Sequence, residues 1–198
     1  MSGGTWYDVE PGTNPGFLFQ QNTMRDAFVA GISLNYFNEK CDRIRMANIA
    51  QTVNVLQALV LTDEEKMLLT PTYHVFEMYQ VHHDATLLPL NVVSGTYEYE
   101  GKKLASLSAS ASRNDEGVVH ISIVNIHPRE SAALEIDLRG QDVTKTSGRI
   151  LTSADVGDHN TFDQPEKVTP VQFNNLKLKK NLLTTTIPAK SVVVIELK

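Results

Sequence analysis

From Asn22 onward, apolar residues recur at helical spacing. Met24, Ala27, Phe28, Gly31 and Ile32 fall on one face, and Asn22 stands where a side chain would cap the first turn. The spacing predicts a helix that ends near Asn38. After a charged turn, the run Arg43-Ile44-Arg45-Met46-Ala47-Asn48-Ile49-Ala50-Gln51 is mostly apolar and predicts a short strand buried on both faces, as parallel strands are. Thr70 is placed to cap a second helix. Pro71 occupies its first position, where a missing N–H costs nothing, and Val75, Met78 and Tyr79 face inward. Helix, strand and helix in this order make a fragment of α/β architecture.

Beyond about Asp84 the period changes to two. In Leu104-Ala105-Ser106-Leu107-Ser108-Ala109-Ser110-Ala111-Ser112 the odd positions from Ala105 to Ala111 are apolar and the even ones are serine, which predicts one buried and one wetted face. Leu134, Ile136 and Leu138 alternate with Glu135, Asp137 and Arg139 in the same way. Turn chemistry separates the strands at Asn114-Asp115-Glu116-Gly117, Arg139-Gly140-Gln141-Asp142 and Asn174-Asn175. The chain closes on Ser191-Val192-Val193-Val194-Ile195-Glu196-Leu197, a strong strand. Roughly eight or nine strands at this spacing predict an antiparallel sandwich.

Composition narrows the functional classes. With 198 residues and 41% hydrophobic content the chain is globular and long enough for one full domain plus part of another. A net charge of -5 with scattered Lys and Arg argues against a nucleic-acid partner, since neutralising phosphates needs clustered cations. No stretch of about 18 apolar residues could span a bilayer, and no leader-like segment opens the sequence. The single cysteine, Cys41, demands no oxidising compartment. A cytoplasmic protein without a membrane partner is the expectation.

Four segments in order carry a resemblance. They are Gly4-Thr5-Trp6-Tyr7 with the Pro11-Gly12-Thr13-Asn14 loop, Met46-Ala47-Asn48-Ile49-Ala50-Gln51, Leu69-Thr70-Pro71-Thr72-Tyr73-His74-Val75-Phe76, and Asn160-Thr161-Phe162-Asp163-Gln164-Pro165-Glu166. Together they resemble the C-terminal part of the α-L-arabinofuranosidases of glycoside hydrolase family 51. The resemblance implies the C-terminal fragment of a (β/α)8 TIM barrel over residues 1–86, followed by an antiparallel, jelly-roll-like β-sandwich over residues 87–198. It implies a retaining glycosidase, which uses two carboxyl groups about 5 Å apart, both of them glutamates on barrel strands. The acid/base belongs upstream of this chain. The family's nucleophile sits in an Asp-Glu-Trp segment just before the motif that stands here as Gly4-Thr5-Trp6-Tyr7, so Ser2 falls in register with it. A serine does not replace an ionised carboxylate without a base of its own. No catalytic residue is therefore expected in this chain, and no metal or cofactor.

The same resemblance implies two substrate-binding residues. Gln51 matches a glutamine that hydrogen-bonds the arabinofuranosyl ring at the end of the last barrel strand, the edge where barrel active sites are assembled. Satisfying backbone groups at a strand end is the alternative role. Trp6 would wall the leaving-group side, or else pack its loop. Asn48 fits a barrel interior. The implied partners are an arabinofuranosyl oligosaccharide, for the complete enzyme, and further copies of the chain in a homo-oligomer.

Other constellations carry less. Asp8 and Glu10 stand two apart on one segment, whereas glycosidase carboxylates come from different strands. His74, His82, His83 and Asp84 match no zinc spacing, and no Gly-x-Ser-x-Gly elbow is present. A non-catalytic sandwich module for carbohydrate binding or oligomer assembly is the competing reading. Carbohydrate binding needs exposed aromatics, and the sequence after Asp84 offers few, Tyr97, Tyr99, Phe162 and Phe173. As a barrel fragment, the first half is expected to expose the Met24 and Phe28 face and leave the Arg45–Gln51 strand unpaired, so that it associates with another copy or is poorly ordered. The family takes one sandwich strand from an N-terminal segment, so the sandwich is expected to have an open edge.

Overall fold

The protein is described by a computed structural model over residues 22–49 and 52–198. Its elements, in chain order, begin with α1 (Met24–Glu39), β1 (Val60–Asp63), β2 (Lys66–Leu69) and α2 (Pro71–Met78), which runs into a 3-10 turn at Tyr79–His82. Then follow β3 (Thr86–Leu88), β4 (Thr96–Tyr99), β5 (Lys102–Ala105), β6 (Leu107–Arg113), β7 (Val119–Asn125), β8 (Ala132–Asp137) and β9 (Thr146–Thr152). The last are β10 (Val171–Gln172), β11 (Leu176–Lys179), β12 (Leu182–Ile187) and β13 (Ser191–Leu197).

A six-stranded sheet in the order β10-β9-β13-β7-β6-β3 faces a three-stranded sheet in the order β11-β12-β8, and every pairing is antiparallel. β1 with β2 and β4 with β5 form separate hairpins. The Val-Val-Val-Ile run makes β13 a central strand, laddered to β7 on one side and β9 on the other. Its alternate residues enter two cores. Val193, Ile195 and Leu197 join Ile121, Ile123, Ile150 and Leu183 between the sheets. Val192 and Val194 join Val124, Leu151, Met24, Ala27, Phe28, Val75 and Met78 beneath the helices. The fold is therefore three layers, with the six-stranded sheet in the middle.

Several expectations hold. α2 begins where Thr70 and Pro71 predict, with Thr70 Oγ1 accepting from Tyr73 N at 3.3 Å, and Val75, Met78 and Tyr79 are buried. Leu134 and Ile136 are half-buried while Glu135 and Asp137 are exposed, as their alternation predicts. Asn114 closes the β6–β7 turn by accepting from Glu116 N and Val118 N, and Gly117 supplies the left-handed backbone there at φ +82°.

Other expectations are corrected. The cap of α1 is Thr23, one residue beyond Asn22. Thr23 donates from its backbone N and from Oγ1 to Asp26 Oδ2 at 2.8 and 3.0 Å, and Asn22 instead turns inward to donate to Ala58 O. Residues 44–49 of the predicted Arg43–Gln51 strand carry no regular structure, and Met46 is 76% exposed. A strand exists only where a neighbour ladders with it, and among the described residues none does so there. Residues 50 and 51 lie outside the described residues. The Met24 and Phe28 face is not exposed but buried, because the six-stranded sheet covers it. The predicted Leu104–Ser112 strand is two strands that part at Ser106. Finally, the serine face is not wetted, since Ser110 and Ser112 are buried beneath the helical layer.

Close approach of that layer depends on Gly31. A Cβ built there would stand 2.8 Å from Val124 Cγ2 and 3.3 Å from Tyr79 Oη. Alanine is the better helix former by about 1 kcal/mol, so propensity alone predicts that Gly31→Ala stabilises. Overpacking reverses the sign: urea unfolding should show a loss of about 1–3 kcal/mol.

Candidate functional site

Three places in the fold gather polar or accessible groups. The first adjoins Gln51, the predicted sugar contact, which itself lies outside the described residues, as do Trp6, Ser2, Asp8 and Glu10. The chain emerging at Thr52 is held by Leu59 N and Val60 N, both donating to Thr52 O at 3.0 Å. Two left-handed residues shape the following turn, Asn54 at φ +53° and Gln57 at φ +59°. Such backbone is costly for non-glycine residues and persists where surroundings enforce it. Here Asn54 donates to Thr62 Oγ1 and accepts from Thr62 N, and Gln57 Nε2 donates to Asp26 Oδ1 at 3.2 Å. Ala58 O accepts from Asn22 Nδ2 and from Thr70 Oγ1. Asp26 thus serves both the start of α1 and the loop after Gln51. The Thr-x-x-Asp spacing was the available signal for this cap.

The second place is the buried seam between α1 and β6. Asn35 Nδ2 donates to Ser108 Oγ at 3.2 Å, Ser110 Oγ donates to Asn35 Oδ1 at 2.9 Å, and Asn38 Nδ2 donates to Ser110 Oγ at 3.1 Å. Beside them, the His82 ring lies between Ser112 Oγ at 2.7 Å and Ser122 Oγ at 2.6 Å. Burial lowers the pKa of His82 to about 4, with His120 and His83 acting in the same direction. Burial also raises the Tyr79 phenol, against the opposing effect of Ser122 and Asn35. His74 sits apart on α2, its pKa lowered by burial against the pull of Glu77, which pairs with Arg149 of β9 at 2.7 Å. His74 and His82 are therefore built into different parts of the helical layer. Among the described residues no three His, Cys, Asp or Glu side chains converge to hold a metal.

The third place is an open edge. Among the described residues β3 and β8 each have one laddered neighbour. A groove of about 560 Å³ runs between the sheets there, lined by Leu88 and Val92, by Ala109 and Ile121, and by Leu134 and Ile136. Its floor is apolar, and Glu135, Asp137 and Arg139 of the β8 edge stand at its rim.

The carboxylates with displaced pKa values are also unsuited to proton donation. Asp158 is lowered chiefly by its hydrogen bond with Lys167, and Glu196 chiefly by its hydrogen bond with Lys198. A general acid near neutral pH needs the opposite shift. The polar groups described above tie elements of the fold to one another and form a scaffold.

Two of the motif segments meet in this scaffold. Asn160, 3% exposed, donates from Nδ2 to Leu69 O at 2.8 Å and Val168 O at 3.0 Å, and accepts from Val168 N at 2.7 Å. Just before it, Asp158 O and Val156 O accept from Met24 N and Arg25 N, two of the first N–H groups of α1.

A family model described as the alpha-L-arabinofuranosidase C-terminal domain matches residues 4–191, and the chain belongs to that family. It is 46% identical over 98% of its length to an intracellular exo-alpha-L-arabinofuranosidase from Bacteroides ovatus, of which it spans 38%. Among solved structures, the family 51 arabinofuranosidase from Xanthomonas axonopodis pv. citri is 42% identical, with a TM-score of 0.92 over 98% of this chain and 40% of that one. A family 51 alpha-L-arabinofuranosidase from Bifidobacterium longum is 26% identical, with a TM-score of 0.83 over 93% of this chain and 37% of that one. The chain thus spans about two fifths of the length of these relatives and has the fold of their C-terminal sheet domain. No helix among the described residues is long and apolar enough to cross a membrane.

Asn160→Ala would leave Val168 N and two carbonyls without their partner. Leaving buried polar groups unpaired costs about 1–3 kcal/mol each. Urea unfolding of this variant should therefore show a loss of at least about 3 kcal/mol, three groups at the lower end of that range.

Proposed function

We propose that this chain is the C-terminal part of a retaining α-L-arabinofuranosidase whose complete form releases terminal α-L-arabinofuranosyl residues from hemicellulose oligosaccharides, and that the chain alone does not hydrolyse them. The observation that carries this reading is the 46% identity to the Bacteroides ovatus enzyme across 98% of the chain, together with the 38% share of that enzyme that the chain represents. In this reading residues 1–86 are the last helix–strand–helix portion of a (β/α)8 barrel, and residues 87–198 are the sandwich. Neither catalytic glutamate belongs to the chain. Gln51 hydrogen-bonds the arabinofuranosyl ring and Trp6 walls the leaving-group side. Two-carboxylate chemistry needs no cofactor.

Within that enzyme the described residues act as a foundation. Helices α1 and α2, buried on the six-stranded sheet, fasten the barrel portion to the sandwich. A sugar-binding role for the sandwich alone finds little support. Of its aromatic residues Tyr99 is 62% exposed, whereas Phe173 is 6% exposed and Tyr97 is half-covered, its ring edge against His127 at 5.5 Å. Exposed Met46, Met67 and Val93 suit contact with the rest of the enzyme or with further copies in a homo-oligomer. Cytoplasmic residence follows the Bacteroides ovatus relative, which is named intracellular.

Concentrated, purified chain, folded by circular dichroism, should show no turnover of an aryl α-L-arabinofuranoside above the uncatalysed rate. Turnover that co-purifies with the chain and disappears on Glu10→Gln would overturn the reading, because the missing carboxylates would then have replacements within it.

A further inference from the structure

The place of His82 has a consequence independent of arabinofuranosidase chemistry. Its imidazole leaves the 3-10 turn after α2 and enters between two strands of the sheet, with Nδ1 2.7 Å from Ser112 Oγ on β6 and Nε2 2.6 Å from Ser122 Oγ on β7. It is the point where the helical layer reaches across two adjacent strands by hydrogen bonds to both. A neutral imidazole carries one donor and one acceptor nitrogen, and two hydroxyls that rotate satisfy either tautomer. An imidazolium would donate to both. The hydrogen bonds therefore do not decide whether charge is tolerated, and the surroundings do.

Those surroundings offer no compensating anion. From its own turn and the residue after it, Tyr79 stands edge-on at 5.6 Å and His83 adds like charge when protonated. β6 contributes Ser112, and β7 contributes Ser122 and His120. α1 brings Asn35, which is neutral and occupied by Ser108 and Ser110. Glu196 of β13 is engaged by His120 at 3.5 Å, Ser147 at 3.1 Å and Lys198 at 2.8 Å, and Glu77 of α2 by Arg149 at 2.7 Å. The core between the two sheets, by contrast, gathers Ile121, Ile123, Ile150, Leu183, Ile187 and Val193.

We propose that the contact of His82 with Ser112 and Ser122 is an acid-sensitive latch: in mildly acidic solution the helical layer opens from the six-stranded sheet more often, as a local excursion from the folded state, while the two sheets stay packed together. Docked, the ring holds no proton until about pH 4, whereas in a released layer it titrates at the ordinary 6.5. Docking by this group is therefore at full strength above pH 6.5, weakens as the pH falls from 6.5 to about 4, and changes no further below that. The gap between those two values bounds the shift in the docking equilibrium at roughly 300-fold. Burial lowers His74 on α2 and His120 on β7 as well, so both act in the same direction.

The test is hydrogen exchange read by mass spectrometry on the whole chain from pH 7.5 to 4, with exposure times scaled to intrinsic exchange rates. Peptides covering α1 and α2 should lose protection below pH 6.5 relative to β13, by up to roughly 300-fold through His82, and His82→Gln, neutral at every pH, should reduce that dependence to the part carried by His74 and His120. Loss of protection in α1, α2 and β13 together would overturn the proposal, as would an unchanged pH dependence in His82→Gln. Should that variant not fold, NMR titration of the wild-type imidazole decides. A midpoint far below 6.5, with helix signals lost as the proton is taken up, supports the latch, and a midpoint at 6.5 overturns it.

Discussion

Everything in this fold depends on covering the six-stranded sheet on both faces. β7, β9 and β13 are apolar on alternate sides at once: Ile123, Ile150 and Val193 point into one core, and Val124, Leu151 and Val192 into the other. A sandwich of two sheets buries only the first set. Fully burying a side chain of this size is worth roughly 1.5–3 kcal/mol, so leaving the second set in water would forfeit much of the marginal stability a domain has. The helical layer meets that requirement, and its place on the sheet follows from it.

Hydrophobic contact alone would let two helices slide over such a surface, because apolar burial has no direction. The serines of β6 supply the direction. Ser108, Ser110 and Ser112 present hydroxyls at a two-residue repeat, and Asn35, Asn38 and His82 meet them from the helical layer. Buried polar groups cost little when paired and a great deal when not. A shift of one helical turn would orphan several of them, so the seam selects one registration. Further along, the carbonyls of Val156 and Asp158 and the carboxylate of Asp26 fix the start of α1, and with it the loop that follows Gln51.

What the sequence made legible follows from how local each signal is. Thr70-Pro71 and the Asn114-to-Gly117 turn are set by residues within a few positions, and β8 by strict alternation. The serine face of β6 was not legible as buried, because alternation tells that two faces differ and not what lies over the polar one. Arg43–Gln51 has the composition of a buried strand, but a strand requires a neighbour that composition does not supply, and its described part has none. Asn22 and Thr23 are both good caps, and only the Asp26 carboxylate decides between them. The resemblance motifs were legible as a set, while the reason for one of them, Asn160 fastening Val168 to the end of β2, depends on residues 91 apart. The candidate sugar contacts Gln51 and Trp6 lie outside the described residues, and the loop that follows Gln51 is the nearest part of the chain that the structure describes.

The central claim is that the polar seam holds the helical layer in register on the sheet, and a double-mutant cycle on Asn35 and Ser110 tests it most directly. Both are 1% exposed, and Ser110 Oγ donates to Asn35 Oδ1 at 2.9 Å. Urea unfolding of Asn35→Ala, Ser110→Ala and the double variant should reveal a coupling of about 1 kcal/mol or more, with the double variant losing less than the two singles together. Additivity within about 0.3–0.5 kcal/mol would contradict the account and leave the layer held by apolar burial alone.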